Sequence, residues 1–451
     1  MTWRDLLFVL PFQVALIVLG FALLAQRERF ERRIFSLSLL AHQVSALAII
    51  VVTEVYYGGG DMIMYHRMGK FLAARLRSDF LGFAPDLLAV VLQSDRPLPI
   101  PGAAVGSNTG SIQALSGFLM FVFQDSLPAA CAVIALASFW AKLKIYDALR
   151  GQLPHLPKNA LLYGCMLLPS TIFWSSGLLK EPIAVVGLAV LISASERAAR
   201  LGFSVGSLVA MIAGVGLVGL FKGYLLPPFG LGMGMWAFAR AVRGQQRVKT
   251  RYLVLAVVVA LGAMFGTGAW LPEFAPGSFE DEARVAQEIG ARTLGGSNYS
   301  LGEGGSLLSQ LPLAIGTSLF RPLLFEADSI VLFANALEMA WITWLVGLGL
   351  SRRSPAATLR FILTEPALAF CGGFVLTLAV GIGITSTNLG TLSRYRMPLL
   401  PFYVSLVGVL AAPPRKQELD APLGPSPVAA AGPPILGERL SPSFRASGPT
   451  P

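Results

Sequence analysis

The sequence predicts an all-α, polytopic integral membrane protein, and three observations predict it. Of its 451 residues, 54% are hydrophobic and 13% charged, with a mean hydropathy of +0.65, above what a soluble domain carries. The apolar residues gather in runs approaching the roughly 20 residues that cross a hydrocarbon core. The lysines and arginines collect between alternate runs, as cytoplasmic loops require. The net charge of +10 is therefore assigned to topology, and no nucleic-acid partner is expected.

By the length rule the spans fall near 5–25, 35–57, 115–140, 159–174, 182–195, 203–221, 228–240, 252–270, 327–350, 361–385 and 397–412. That makes about eleven transmembrane helices in a membrane domain over 1–412. The first run lacks a basic start and a small-residue cleavage site, so it reads as a retained helix rather than a cleaved signal. With 26–34 in the cytoplasm, 22 of the 35 basic residues fall on the inside, in short loops and the tail. This favours an external N-terminus and a cytoplasmic C-terminus, in a bacterial-type inner membrane. Residues 413–451 contain ten prolines and no periodicity, the composition of a disordered cytoplasmic tail.

The same topology leaves two long external loops, 58–114 and 271–326. The first opens on Gly58-Gly59-Gly60-Asp61. From there Met64, Tyr65, Met68, Phe71, Leu72 and Leu76 recur at helical spacing, with His66, Arg67, Lys70 and Arg77 opposite. That pattern predicts an amphipathic helix lying in the headgroup layer, its apolar stripe in lipid and its cations near phosphates. A second apolar patch covers 81–92. In the other loop Ser278 caps an expected helix at 279–292, a glycine-rich stretch follows at 295–305, and 307–325 reads as an interfacial or re-entrant segment because Pro312, Gly316 and Arg321-Pro322 interrupt it.

Four polar clusters break the apolar pattern, and the topology brings all of them to the external side. They are Asp61 with Tyr65 and His66; the turn from Pro169 to Lys180 and Glu181; Arg321-Pro322 leading to Glu326 and Asp328; and Ser393-Arg394-Tyr395-Arg396. Guanidinium groups match phosphate oxygens in a bidentate way, so Arg394 and Arg396 are candidate phosphate ligands, with Arg321, Tyr395, Lys180, Glu181 and His66 as further substrate contacts. A carboxylate is needed to deprotonate an acceptor hydroxyl. Asp61 is the first candidate and Asp125 the second acid. Each has a plainer reading: Asp61 as a helix cap, Glu181 before Pro182 as a first-turn residue beside Lys180, the late arginines as snorkelling anchors, and His66 as part of a polar face. Glu54, Asp125 and Glu338 lie in apolar surroundings, where an ionised group needs a cavity or a partner; they serve equally as the ion path of a transporter or flippase.

No cofactor is implied. The three histidines have no ligand spacing, so a divalent cation lacks a recognisable site. Cys131, Cys165 and Cys371 sit in apolar segments as packing residues, and no GxxxxGK[ST] loop is present.

An Asp in the loop after an early span, amphipathic helices in that loop, short paired spans and the stretch Arg394-Tyr395-Arg396-Met397-Pro398-Leu399-Leu400-Pro401-Phe402 together resemble the GT-C class of polytopic glycosyltransferases. The resemblance implies a polyprenyl-phosphate-linked sugar as donor, a glycan or lipid as acceptor, and Asp61 as catalytic acid or base. Three departures stand beside it: Asp61 stands beside glycines and Met62 where the family often pairs acidic residues, an extra N-terminal span precedes that loop, and no large external C-terminal domain follows the spans. A polymerase or ligase of lipid-linked glycans would use similar external arginines.

Overall fold

The computed structural model describes residues 3–243, 307–386 and 388–414. Within them every regular element is helical. The expected span at 252–270, the helix at 279–292, the glycine-rich stretch at 295–305 and the tail from 415 lie outside the described residues.

α1 (Trp3–Leu24) and α2 (Arg29–Val51) form an antiparallel pair, joined where Gln13 Nε2 donates to Gln43 O at 3.1 Å. α2 continues into a π-helical turn, Val52–Tyr56. Three glycines then lead to α3 (Asp61–Ser78), followed by α4 (Phe80–Val91) and α5 (Asn108–Val122). The long helix α6 (Leu127–Gln152) comes next, then two short ones, α7 (Lys158–Met166) and α8 (Pro169–Trp174). α9 (Lys180–Leu201) and α10 (Val205–Lys222) pair antiparallel; a short 3₁₀ turn, Gly223–Leu225, starts the return through α11 (Leu226–Val242). The remainder comprises α12 (Leu307–Phe320), α13 (Ile330–Arg352), α14 (Pro355–Thr364), α15 (Pro366–Thr385), α16 (Leu389–Tyr395) and α17 (Leu400–Ala411).

Among the described residues six stretches are long and apolar enough to cross a membrane: Arg29–Tyr56, Leu127–Gln152, Lys180–Leu201, Val205–Val242, Ile330–Arg352 and Pro366–Thr385. Shorter apolar helices run over Val9–Leu24, Phe80–Val91, Gln310–Phe320 and Leu400–Ala411. The main core joins α2, α6, α7, α9, α15 and α17, with Phe370, Phe374 and Phe402 in mutual ring contact. α9 and α10 approach closely at Gly187 and Gly214, where an added Cβ would stand 2.8 Å from Leu217 Cβ and 2.9 Å from Gly187 O respectively. Small residues at such a crossing let two apolar helices pack backbone to backbone. The consequence is local: the end of α10 is set beside the start of α9.

Four expectations need correction. The span drawn over 115–140 is two helices separated by a turn, in which Gln124 and Asp125 take left-handed φ values of 53° and 66°. Asp125 is therefore a turn residue, 37% exposed at its side chain, not a carboxylate inside a span. The run 159–174 is broken at Leu167 and Leu168, because Pro169 lacks the N–H needed to continue α7. The run 361–385 is likewise divided at Glu365, ahead of Pro366. Finally, α3 does not lay its whole stripe in lipid: Tyr65, Leu72 and Leu76 are buried, and α3 packs along α5, where Ser116 Oγ donates to Tyr65 O at 2.8 Å. Met64 and Phe71 alone of that stripe are strongly exposed. The segment at 307–325 forms α12 against α15, with Ser318 Oγ donating to Ala379 O at 2.7 Å.

Candidate functional site

Helix ends from distant parts of the chain meet at one charged cluster. At the start of α3, Gly58, Gly59 and Gly60 all have φ between 67° and 157°, a region that a residue with a Cβ rarely adopts. Gly60 holds the N-cap position and offers no side chain, so Asp61 is the first helical residue rather than the cap. Its carboxylate turns sideways, and Arg394 Nη2 donates to Asp61 Oδ2 at 2.8 Å. Arg394 stands in the last turn of α16, a short helix capped by Asn388, whose Oδ1 accepts from Gly390 N at 2.8 Å.

The other edge of the same guanidinium is taken by Glu181, the second residue of α9: Arg394 Nε donates to Glu181 Oε1 at 3.0 Å. Lys222, at the end of α10, reaches the same oxygen at 3.2 Å. Glu181 is fully buried, whereas Asp61 keeps 43% of its side-chain surface. Glu181 Oε2 has no hydrogen-bond partner among the described residues. Tyr395 covers Lys222, whose Nζ lies 4.4 Å from its ring centre, and Tyr224 lies at 5.3 Å on the same cation. Burial acts to lower the pKa of the Arg394 guanidinium, but Glu181, Tyr395 and Asp61 outweigh it and raise it. One helical turn beyond Asp61, the Tyr65 phenol is raised by burial and by the Asp61 charge. Two carboxylates and two cations thus meet in one cluster whose inner carboxylate, Glu181, is buried and whose outer one, Asp61, is partly open to solvent.

The remaining expected residues sort themselves around this centre. Lys180 ties α9 to the start of α5, donating to Asn108 Oδ1 at 2.6 Å and Thr109 Oγ1 at 2.8 Å. Asp125 and His66 belong elsewhere: Arg77 grips the Asp125 carboxylate at 2.9 and 3.1 Å, and His66 Nε2 lies 3.0 Å from Asp125 O. His66 is half-buried, and burial lowers its pKa, with the Asp125 carbonyl opposing the shift. Arg321 pairs with Glu326 at 2.6 Å. Arg396 is fully buried; it donates to Ser318 O at 3.1 Å, to Arg321 O, and to Asn335 Oδ1 at 3.0 Å. That guanidinium is committed to holding α12, α13 and α16 together.

Lys222 and Tyr224 were missed in the sequence. The signal for Lys222 was present, a lone ammonium closing an apolar run, which a buried setting obliges to find a carboxylate. A second missed cluster lies deeper. The ammonium of Lys142 is fully buried and contacts His42 Nε2 at 3.0 Å, Thr171 O at 2.9 Å and Ser175 Oγ at 2.8 Å. On the far side of α8, Glu338 receives Ser170 N at 2.9 Å and Ser170 Oγ at 2.5 Å. Glu54, in contrast, lies on the exposed surface of the π-helical turn. Among the described residues no group of three or more His, Cys, Asp or Glu is arranged to hold a metal ion.

Fold and site together define an all-helical protein with membrane-compatible helices and a compact charged cluster where the ends of α3, α9, α10 and α16 meet. Compared with known proteins, the chain matches no family model, no curated protein and no solved structure.

Proposed function

We propose that the protein is a membrane glycosyltransferase that moves a sugar from a polyprenyl-phosphate-linked donor to a glycan or lipid acceptor at the external face of a bacterial inner membrane. In this reading the chain crosses about eleven times, with its N-terminus outside and C-terminus in the cytoplasm. One observation carries it: Asp61, Glu181, Lys222 and Arg394, spread over more than 300 residues of sequence, meet at a single pocket. A partly exposed carboxylate beside a fixed guanidinium is what transfer from a phosphate leaving group requires.

The roles follow from placement. Arg394 takes oxygens of the donor phosphate on the side that Asp61 contacts, and Lys222 supplies a second fixed positive charge behind it. Asp61 accepts the proton of the acceptor hydroxyl as its oxygen bonds to the anomeric carbon of the donor sugar. The bond from that carbon to the phosphate oxygen breaks, and the electron pair leaves on the lipid phosphate. Buried Glu181 touches no substrate; it holds the two cations. Lys180 sets the rim through α5. The test is glycan production in the native host with Asp61→Asn at matched membrane abundance: loss of glycan with accumulation of lipid-linked sugar is expected, and undiminished glycan discards the assignment.

A second reading, a transporter or lipid flippase, has its own observation in its favour. Helix α8, after the break, has polar contacts to Lys142 and Glu338, and Lys142 in turn contacts His42, all three within candidate spans; interrupted helices with intramembrane ionisable groups are the usual substance of an ion path. Glu338→Gln abolishing function while Asp61→Asn leaves it intact selects this reading.

A further inference from the structure

We infer that Asp61 is the resident occupant of the Arg394 anion site, and that a lipid phosphate ester, the donor diester or the prenyl phosphate it leaves behind, binds there by displacing it. The inference rests on the proposed reading only in taking phosphate as the ligand; the competition itself stands on geometry.

The two carboxylates on Arg394 are held unequally. Glu181 has no exposed surface, sits in the first turn of α9, and is gripped through Oε1 by both Arg394 Nε and Lys222 Nζ. It cannot leave without stranding a buried charge. Asp61 has one contact, from Nη2, and nearly half its side chain is open to water. The exposed edge of Arg394 is thus the replaceable one. A phosphate presents more oxygens than a carboxylate and accepts from a guanidinium in the same bidentate manner.

The chain before Asp61 is built to let it go. Its link to the π-helical turn is three glycines with left-handed or extended positive φ, and an added Cβ at Gly58 or Gly59 would meet nothing within 4 Å. Among the described residues the linker is tied back by Gly59 N donating to Thr53 O at 3.0 Å, a bond that turning the Asp61 side chain does not break. The side chain of Asp61 makes no capping bond that displacement would break.

Displacement has a chemical consequence. When phosphate takes the Arg394 edge, the Asp61 carboxylate is freed from its guanidinium contact and can meet the acceptor hydroxyl. The base is then armed only when the donor is present, so donor binding precedes proton transfer from the acceptor.

The experiment measures binding of a long-chain prenyl phosphate to the purified full chain in nanodiscs, with the matching prenol and inorganic phosphate as comparison arms. Asp61→Asn and Asp61→Ser both remove the competitor, so each binds prenyl phosphate more tightly than the native chain, by about fivefold, the upper worth of a half-exposed ion pair. Arg394→Met loses binding, and prenol does not bind competitively. Unchanged or weaker binding by both Asp61 variants, with loss in Arg394→Met, overturns the displacement while leaving a phosphate site in place. Absence of phosphate binding by the native chain and by the Asp61 variants overturns both the displacement and the phosphate-donor reading. If inorganic phosphate competes as strongly as the prenyl phosphate and the Asp61 variants still bind more tightly, displacement stands with free phosphate as the ligand.

Discussion

Two regions meet at Tyr395, and the arginines on either side of it have opposite fates. Arg394 faces the pocket shared by α3, α9 and α10, keeps 17% of its side chain exposed and bonds two carboxylates. Arg396 faces the junction of α12, α13 and α16, has no exposed surface, and donates to carbonyls and an amide oxygen. Residues two apart on a helix point nearly oppositely. One region holds charge where a ligand can reach it, while the other uses charge to close a gap in the bundle. The comparison teaches that the same residue type, two positions apart, builds a site and its support.

The sharpest way to break this contrast is to remove each guanidinium in turn. Arg396→Met leaves two carbonyl groups and Asn335 unsatisfied in a sealed space, so a loss of about 3–5 kcal/mol is expected. It should appear as a large fall in melting temperature and membrane abundance. Arg394→Met leaves Glu181 still paired with Lys222, so the protein remains folded and loses function instead. Equal destabilisation by both would erase the distinction.

Lys222→Met sharpens the pocket side. It leaves buried Glu181 with Arg394 alone, at an expected cost of about 3 kcal/mol. Adding Glu181→Met to that variant removes the stranded charge, and most of the melting temperature should return. A double variant no more stable than the single one would show that the pair does not act as a unit.

Smaller effects are expected at the edges. Glu326→Gln loosens an ion pair with Arg321 that is partly open to water, so less than about 1 kcal/mol should be lost. The smallest effect concerns His66, whose folded pKa is lowered by burial. Because the unfolded state then binds its proton more readily, stability is complete above the ordinary histidine value of about 6.5 and declines as pH falls from there toward the lowered folded value. A melting-temperature profile that is lower at pH 5.5 than at pH 7.5, with the difference reduced in His66→Gln, would agree.

Much of the helical frame was legible in the sequence, because length and hydropathy alone mark the long apolar stretches. The break at Gly58 to Gly60 was legible too, and Glu181 lies in the first turn of α9, as the following Pro182 foretold. What escaped was tertiary. The turn at Asp125 is hidden in an apolar run because its left-handed residues are not glycines. The buried side of α3 was unreadable, since an apolar stripe looks the same whether it meets lipid or α5. Spacing placed Arg394 and Arg396 together, and only the neighbours contributed by α12, α13 and α9 separate them. Lys222 closes an apolar run as a lone ammonium, but its partner Glu181 lies in another helix. Lys142 and His42 lie in different helices, 100 residues apart, and nothing local joins them.

The measurement that bears most directly on the account is glycan output of the native host carrying Asp61→Asn, taken together with the melting temperature of the purified variant. Asp61 is half-exposed and makes no capping bond, so the fold should change little while glycan output falls by about a hundredfold or more, the usual worth of a positioned base. Native glycan output from this variant at native abundance would contradict the claim that the pocket between Asp61 and Arg394 is where transfer takes place.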